Sequence, residues 1–150
     1  MRRSLTSSFV LLAAAVITVG LSGTASAAAA PVSSKGGCVA AADVPHLDVG
    51  GTNRIITTGR FECATAATGT KITVCIEEQY STTGPWYSRG CTTASDLYEY
   101  RTAISATHSM SVPVYATWLR TSVTASNAAG GAATYTSAPV FWFNCACYIG

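Results

Sequence analysis

Thr70-Lys-Ile-Thr-Val-Cys-Ile-Glu-Glu-Gln79, then Tyr80-Ser-Thr-Thr-Gly-Pro85, then Trp86-Tyr-Ser-Arg-Gly-Cys91: this stretch decides the fold. Ile72, Val74 and Ile76 recur at every second position, with Lys71, Thr73, Cys75 and Glu77 between them. Period two is the signature of a strand with one buried face, because successive side chains point to opposite sides of the pleat. Ser81 to Pro85 has turn chemistry, and Trp86 to Cys91 reads as the returning strand. Cys75 and Cys91 stand where a bridge would clip that hairpin. Closing a loop of this size contributes roughly 3 kcal/mol through the entropy of the unfolded chain.

Working outward, the same language continues. Arg54 to Cys63 is a candidate strand and Ala64 to Gly69 a turn. Leu97 to His108 reads as a strand with Tyr98, Tyr100, Thr102, Ile104 and Ala106 on one side. Val112 to Ser126 is a longer one, with Tyr115, Thr117, Leu119, Thr121 and Val123 on one face; Pro113 marks its start as an edge or bulge. Asn127 to Gly131 is a turn, and Ala132 to Ile149 returns past Pro139. Thr, Val, Ile and aromatic residues are abundant, and no long helical period is present. Six or seven short strands separated by turns predict an all-β fold. The expected architecture is an antiparallel immunoglobulin-like β-sandwich stapled by disulfides, with a small β-barrel as the alternative.

The start of the chain reads differently. Met1-Arg2-Arg3, an uncharged apolar run from Phe9 to Leu21, and the small residues through Ala25-Ser26-Ala27 have the layout of a secretory signal peptide. The run is shorter than the roughly 20 residues a spanning helix needs. The expected organisation is a signal over 1–27, a flexible leader and irregular segment over 28–53 containing Pro45 and Gly50-Gly51, and a sandwich domain over 54–150. The expected product is secreted and extracellular, and free of the membrane once the signal is removed. Of the 150 residues, nine are Lys or Arg and seven Asp or Glu, a net charge of +2. Arg2 and Arg3 account for that excess. The remainder is balanced and carries no electrostatic footprint for nucleic acid.

All six cysteines (Cys38, Cys63, Cys75, Cys91, Cys145 and Cys147) lie beyond the signal. An even number in a small exported chain predicts three disulfides. Cys145 and Cys147 are two apart, so on a strand they share a face and do not bond each other readily. Each is expected to take one of the early cysteines, Cys38 or Cys63. A zinc site drawn from Cys145-x-Cys147 with His46 or His108 lacks the spacing of known zinc modules, and no metal or cofactor is expected.

Three motifs together resemble a known group. Val74-Cys75-Ile76-Glu77, the Trp86-x4-Cys91 return and Tyr115-Ala-Thr-Trp-Leu-Arg120 leading toward Cys145 are similar to segments of small secreted disulfide-containing proteins of high-GC Gram-positive bacteria. The resemblance covers roughly residues 55–147. It implies an immunoglobulin-like sandwich, and it transfers no catalytic residue because that group has no assigned activity. Its members often carry another cysteine just before the strand corresponding to Tyr115–Arg120, and this chain has none.

No catalytic constellation is legible. His46 and His108 read as loop and strand-end histidines, with no nucleophile motif near them. Glu77 and Glu78 are adjacent on a strand and point apart, so they do not flank one bond as a glycosidase pair would. No phosphate loop or His-Glu-x-x-His motif occurs. The aromatic residues carry the remaining signal. Twelve of fourteen fall from Tyr80 onward, and Phe141-Trp142-Phe143 sets rings on both faces of one strand. Burial on both sides is the plainer reading. The sharper one is an exposed platform for polysaccharide or a protein partner, with Trp86, Trp118 and Trp142 as candidates. A second possibility is a secreted inhibitor or toxin presenting the loop Gln79–Pro85.

Overall fold

A computed structural model describes residues 33–50 and 53–143. The expected signal segment, Cys145 and Cys147 lie outside those residues. Ten strands are present among them, with no helix: β1 (Ser33–Lys35), β2 (Cys38–Ala42), β3 (His46–Leu47), β4 (Arg54–Ala67), β5 (Thr70–Gln79), β6 (Tyr87–Asp96), β7 (Arg101–Ser111), β8 (Thr117–Ser126), β9 (Ala132–Thr136) and β10 (Val140–Trp142). They form two antiparallel sheets. Sheet A has the order β1-β9-β8-β5-β6, with β10 also on β8; sheet B sets β2 and β3 against one side of β4 and β7 against the other. Neither sheet closes on itself, so the sandwich expectation holds and the barrel does not.

The connections explain the layering. β4 ends in sheet B and, after Thr68-Gly69, the chain enters β5 in sheet A; β5–β6 and β8–β9 are hairpins, and β6–β7 and β7–β8 change sheets. A layer of β2 and β3, β4 and β7 facing a layer built around β9-β8-β5-β6 is the immunoglobulin-like arrangement. The hairpin is laid out as its alternation requires. Ile72, Val74 and Ile76 are fully buried, while Thr73, Cys75 and Glu77 lie on the outer face.

Strand limits differ from the sequence reading in informative places. Strands begin before Arg54: β2 and β3 lie in the segment read as irregular, and both pair with β4. Asp43 to Pro45 breaks what would otherwise be one edge strand, as expected where proline cannot donate to a ladder. β7 begins at Arg101, and Leu97, Tyr98 and Tyr100 are exposed in the connection before it. β8 begins at Thr117, with Pro113 buried in the preceding loop rather than at a strand start. Around Pro139 the last edge is interrupted. There Ser137 replaces a ladder residue, its N–H donating to the Thr121 carbonyl (2.9 Å) and its hydroxyl accepting from the Thr121 N–H (2.9 Å).

The core has two parts. Phe61, Ile72, Val74, Ala106, Val123 and Tyr135 anchor the larger; Ile55, Ile76, Met110 and Leu119 form the smaller, covered by Val112, Val140 and Trp142. Between the layers, Thr57 of β4 and Thr121 of β8 meet at 2.7 Å, and both hydroxyls lie within 2.8 Å of the Asp43 carbonyl. In antibody domains a disulfide joins the second and the sixth strand across the core. Here the corresponding strands, β4 and β8, are joined by this polar contact. Gly59, also on β4, permits a close approach of the layers: a Cβ there would lie 2.5 Å from Val74 Cγ2 and 2.8 Å from Val123 Cγ2.

The disulfides run within sheets. Cys75–Cys91 clips β5 to β6, as the hairpin predicted. Cys38 pairs with Cys63 between β2 and β4, which corrects the expectation that Cys145 and Cys147 each take one of them. The reason is register. β2 runs back along β4 with Cys38 directly opposite Cys63 and their Cα atoms 4.0 Å apart.

Candidate functional site

The outer face of sheet A carries two of the three tryptophans that sequence reasoning singled out, Trp86 and Trp118, both half-buried. Trp118 lies on the outward side of β8, because Thr117, Leu119 and Thr121 fill the inward one. On β10, Phe141 lies opposite Trp118 in register, and the two rings are 5.0 Å apart at an interplanar angle of 54°. One row further along, Arg120 of β8 stands opposite Glu77 of β5. Its Nε donates to Glu77 Oε2 at 2.7 Å, and its guanidinium carbon lies 4.1 Å from the centre of the Trp86 ring. The result is a surface of Trp86, Trp118 and Phe141 set around one ion pair.

Trp142 does not join them. Period two turns it inward with Val140, against the Ile55, Ile76, Met110 and Leu119 cluster, and its indole N–H is buried with no protein partner. The run Phe141-Trp142-Phe143 therefore divides as alternation demands. Phe141, 55% exposed, holds the outward position assigned by sequence to Trp142. No local signal marked Phe141: its parity is set by the pairing of β10 with β8, which puts it opposite the outward Trp118.

A second aromatic group lies where β5 leads into β6. Tyr80 sits 6.0 Å from Tyr87 and 5.6 Å from Tyr115, ring centre to ring centre. Beneath them Glu78 is fully buried. Its Oε2 accepts from Tyr115 OH at 3.3 Å and lies 3.2 Å from Arg89 Nε, while Oε1 has no protein partner. Hydrogen bonds with Tyr115 first, and with Glu78 second, push the Tyr80 phenol up to about 12. Gln79 closes the following loop by donating from its side-chain amide to the Gly84 carbonyl. Glu77 and Glu78 thus serve separate faces, each paired with its own arginine.

The histidines are apart from both groups. His46 Nδ1 is 3.0 Å from the Val44 carbonyl on the surface. His108 is half-buried, with Nδ1 3.0 Å from Thr92 Oγ1 and Nε2 against the backbone of Gly90. Burial first, and the Arg54 charge second, hold the His108 imidazolium below its ordinary range. No group of three His, Cys, Asp or Glu able to hold a metal occurs among the described residues. Comparison of the chain with protein-family models, with curated proteins and with solved structures gave no match.

Proposed function

We propose that this chain is exported and acts outside the cell as a binding module, holding polysaccharide on the outer face of sheet A. One observation carries the reading: Trp118 and Phe141 are in contact on a solvent-facing strand pair, with Trp86 held beside them by Arg120. Aromatic faces stack on the apolar faces of sugar rings, and here an exposed Phe141 lies beside the half-buried Trp118. Two disulfides within the described residues fit an oxidising compartment. The sequence at the start of the chain supplies the export signal.

The test is depletion. Incubated with insoluble glucan, chitin or isolated cell wall, the protein is expected to leave solution with at least one of them, and Trp118→Ala is expected to stay behind. Wild-type protein remaining in solution with all three would remove the polysaccharide reading.

A protein target is the second reading, favoured by the Tyr80, Tyr87 and Tyr115 cluster beside the loop closed by Gln79. Tyrosine and arginine dominate protein hot spots. If the loop Gln79–Pro85 inhibits a secreted protease, micromolar protein should slow at least one member of a broad panel; an unaffected panel would count against it.

A further inference from the structure

We infer that the ligand of sheet A is an uncharged glycan, and that its chain extends from the aromatic end across a row of threonine hydroxyls. This rests on the polysaccharide reading and specifies it.

The row follows from register. Thr93 of β6 is opposite Thr73 of β5, Thr73 is opposite Thr124 of β8, and Thr124 is opposite Thr134 of β9. All four point outward, since Ile72, Val74, Val123, Ala125, Ala133 and Tyr135 fill the inward positions beside them. Thr73 and Thr93 hydroxyls are 2.9 Å apart. Threonine suits an exposed strand, and a cross-strand threonine pair modestly stabilises a sheet. That accounts for each threonine and for each pair. It does not require four strands to place the same residue in one line.

The rows on either side define the chemistry. Between the threonines and the aromatic end lies a row of Cys91, Cys75, Ser122 and Thr136, which carries no charge. The next row holds Glu77 and Arg120, which neutralise each other at 2.7 Å. Lys71 and Lys35 stand in the row at the far end, on β5 and β1, with Ser126 and Ala132 between them. Successive outward residues are about 6.8 Å apart along a strand. Among the described residues the face from Trp118 to Thr124 therefore runs roughly 20 Å with no unpaired charge. A polyanion needs cations distributed along its length; this surface offers ring faces, then hydroxyls that donate and accept. Those are the groups that match a neutral sugar, itself alternating apolar C–H faces and hydroxyl edges.

Affinity electrophoresis of the intact protein in gels containing a soluble neutral β-glucan, or polygalacturonate as the anionic counterpart, tests this. Retardation is expected in the neutral glucan and is expected to survive added salt. Thr73→Val with Thr124→Val keeps the shape and removes two hydroxyls. At about 1 kcal/mol for each lost hydrogen bond, it should weaken retardation at least tenfold, with thermal unfolding confirming that the variant is folded. A double variant that binds like wild type, while Trp118→Ala does not bind, would overturn the threonine row and leave the aromatic platform standing. Retention in polygalacturonate alone, abolished by salt, would overturn the neutral ligand. Wild-type protein retarded in neither gel would overturn this inference. Depletion by an insoluble polysaccharide in the earlier test would then show that the platform itself stands.

Discussion

At the scale of single residues, the interior depends on a few positions where chemistry departs from a purely apolar core. Thr57 and Thr121 are both fully buried, and with the Asp43 carbonyl they present three short contacts served by two hydroxyl protons. Removing one hydroxyl leaves the other still donating to the Asp43 carbonyl, so the loss is that of an ordinary hydrogen bond, about 1 kcal/mol. Thr121→Val is therefore expected to lower the unfolding free energy by that amount, read as a lower urea midpoint with an unchanged slope. Restoring a hydroxyl with Thr121→Ser should recover part of it. His108 sets the acid response. Its folded pKa is depressed by burial first and Arg54 second, so below about 6.5, the ordinary histidine value, the unfolded chain binds more protons than the folded one. Stability then falls as pH drops from that point through the folded pKa, and is unaffected by this group above it. Urea denaturation between pH 5 and pH 8 should show this slope, and His108→Gln should flatten it. An identical slope in the variant would assign the acid response to other groups.

At the scale of elements, the β5–β6 hairpin is the best-determined part of the chain. Alternation, turn residues and both cysteines point the same way, and the bridge closes a segment with a sequence separation of 16. Replacing both Cys75 and Cys91 by Ser should cost roughly 3 kcal/mol in the chain-entropy account, read as a lower thermal midpoint with the fold retained in far-ultraviolet circular dichroism. β8 illustrates the opposite limit. Its inward pattern of Thr117, Leu119, Thr121 and Val123 was legible, but its start at Thr117 was not. The segment from Val112 to Ala116 has strand-like composition, yet Pro113 is buried in the crossing from sheet B to sheet A. Propensity reports what fits a pleated surface and does not report where the chain leaves one.

At the scale of the whole molecule, export is the first property to measure. Protein recovered from culture medium should have a mass that begins near Ala28, and its cysteines should alkylate only after reduction; a retained leader would undo the extracellular reading. The all-β class, the buried face of β5 and the Cys75–Cys91 clip were legible in the amino-acid sequence. Each of these is a local matter of period, turn chemistry or residue type. Tertiary structure alone decided the rest. Cys38 meets Cys63 because β2 pairs with β4 in one register, a relation between segments 25 residues apart that no local pattern encodes. Trp142 turns inward and Phe141 outward because β10 docks on β8 with Phe141 opposite Trp118. The line Thr93, Thr73, Thr124 and Thr134 exists only once four strands are laid side by side. Period-two patterning fixes which residues of one strand share a face, whereas their neighbours across the sheet follow from pairing register, and that is set by the burial of the whole core.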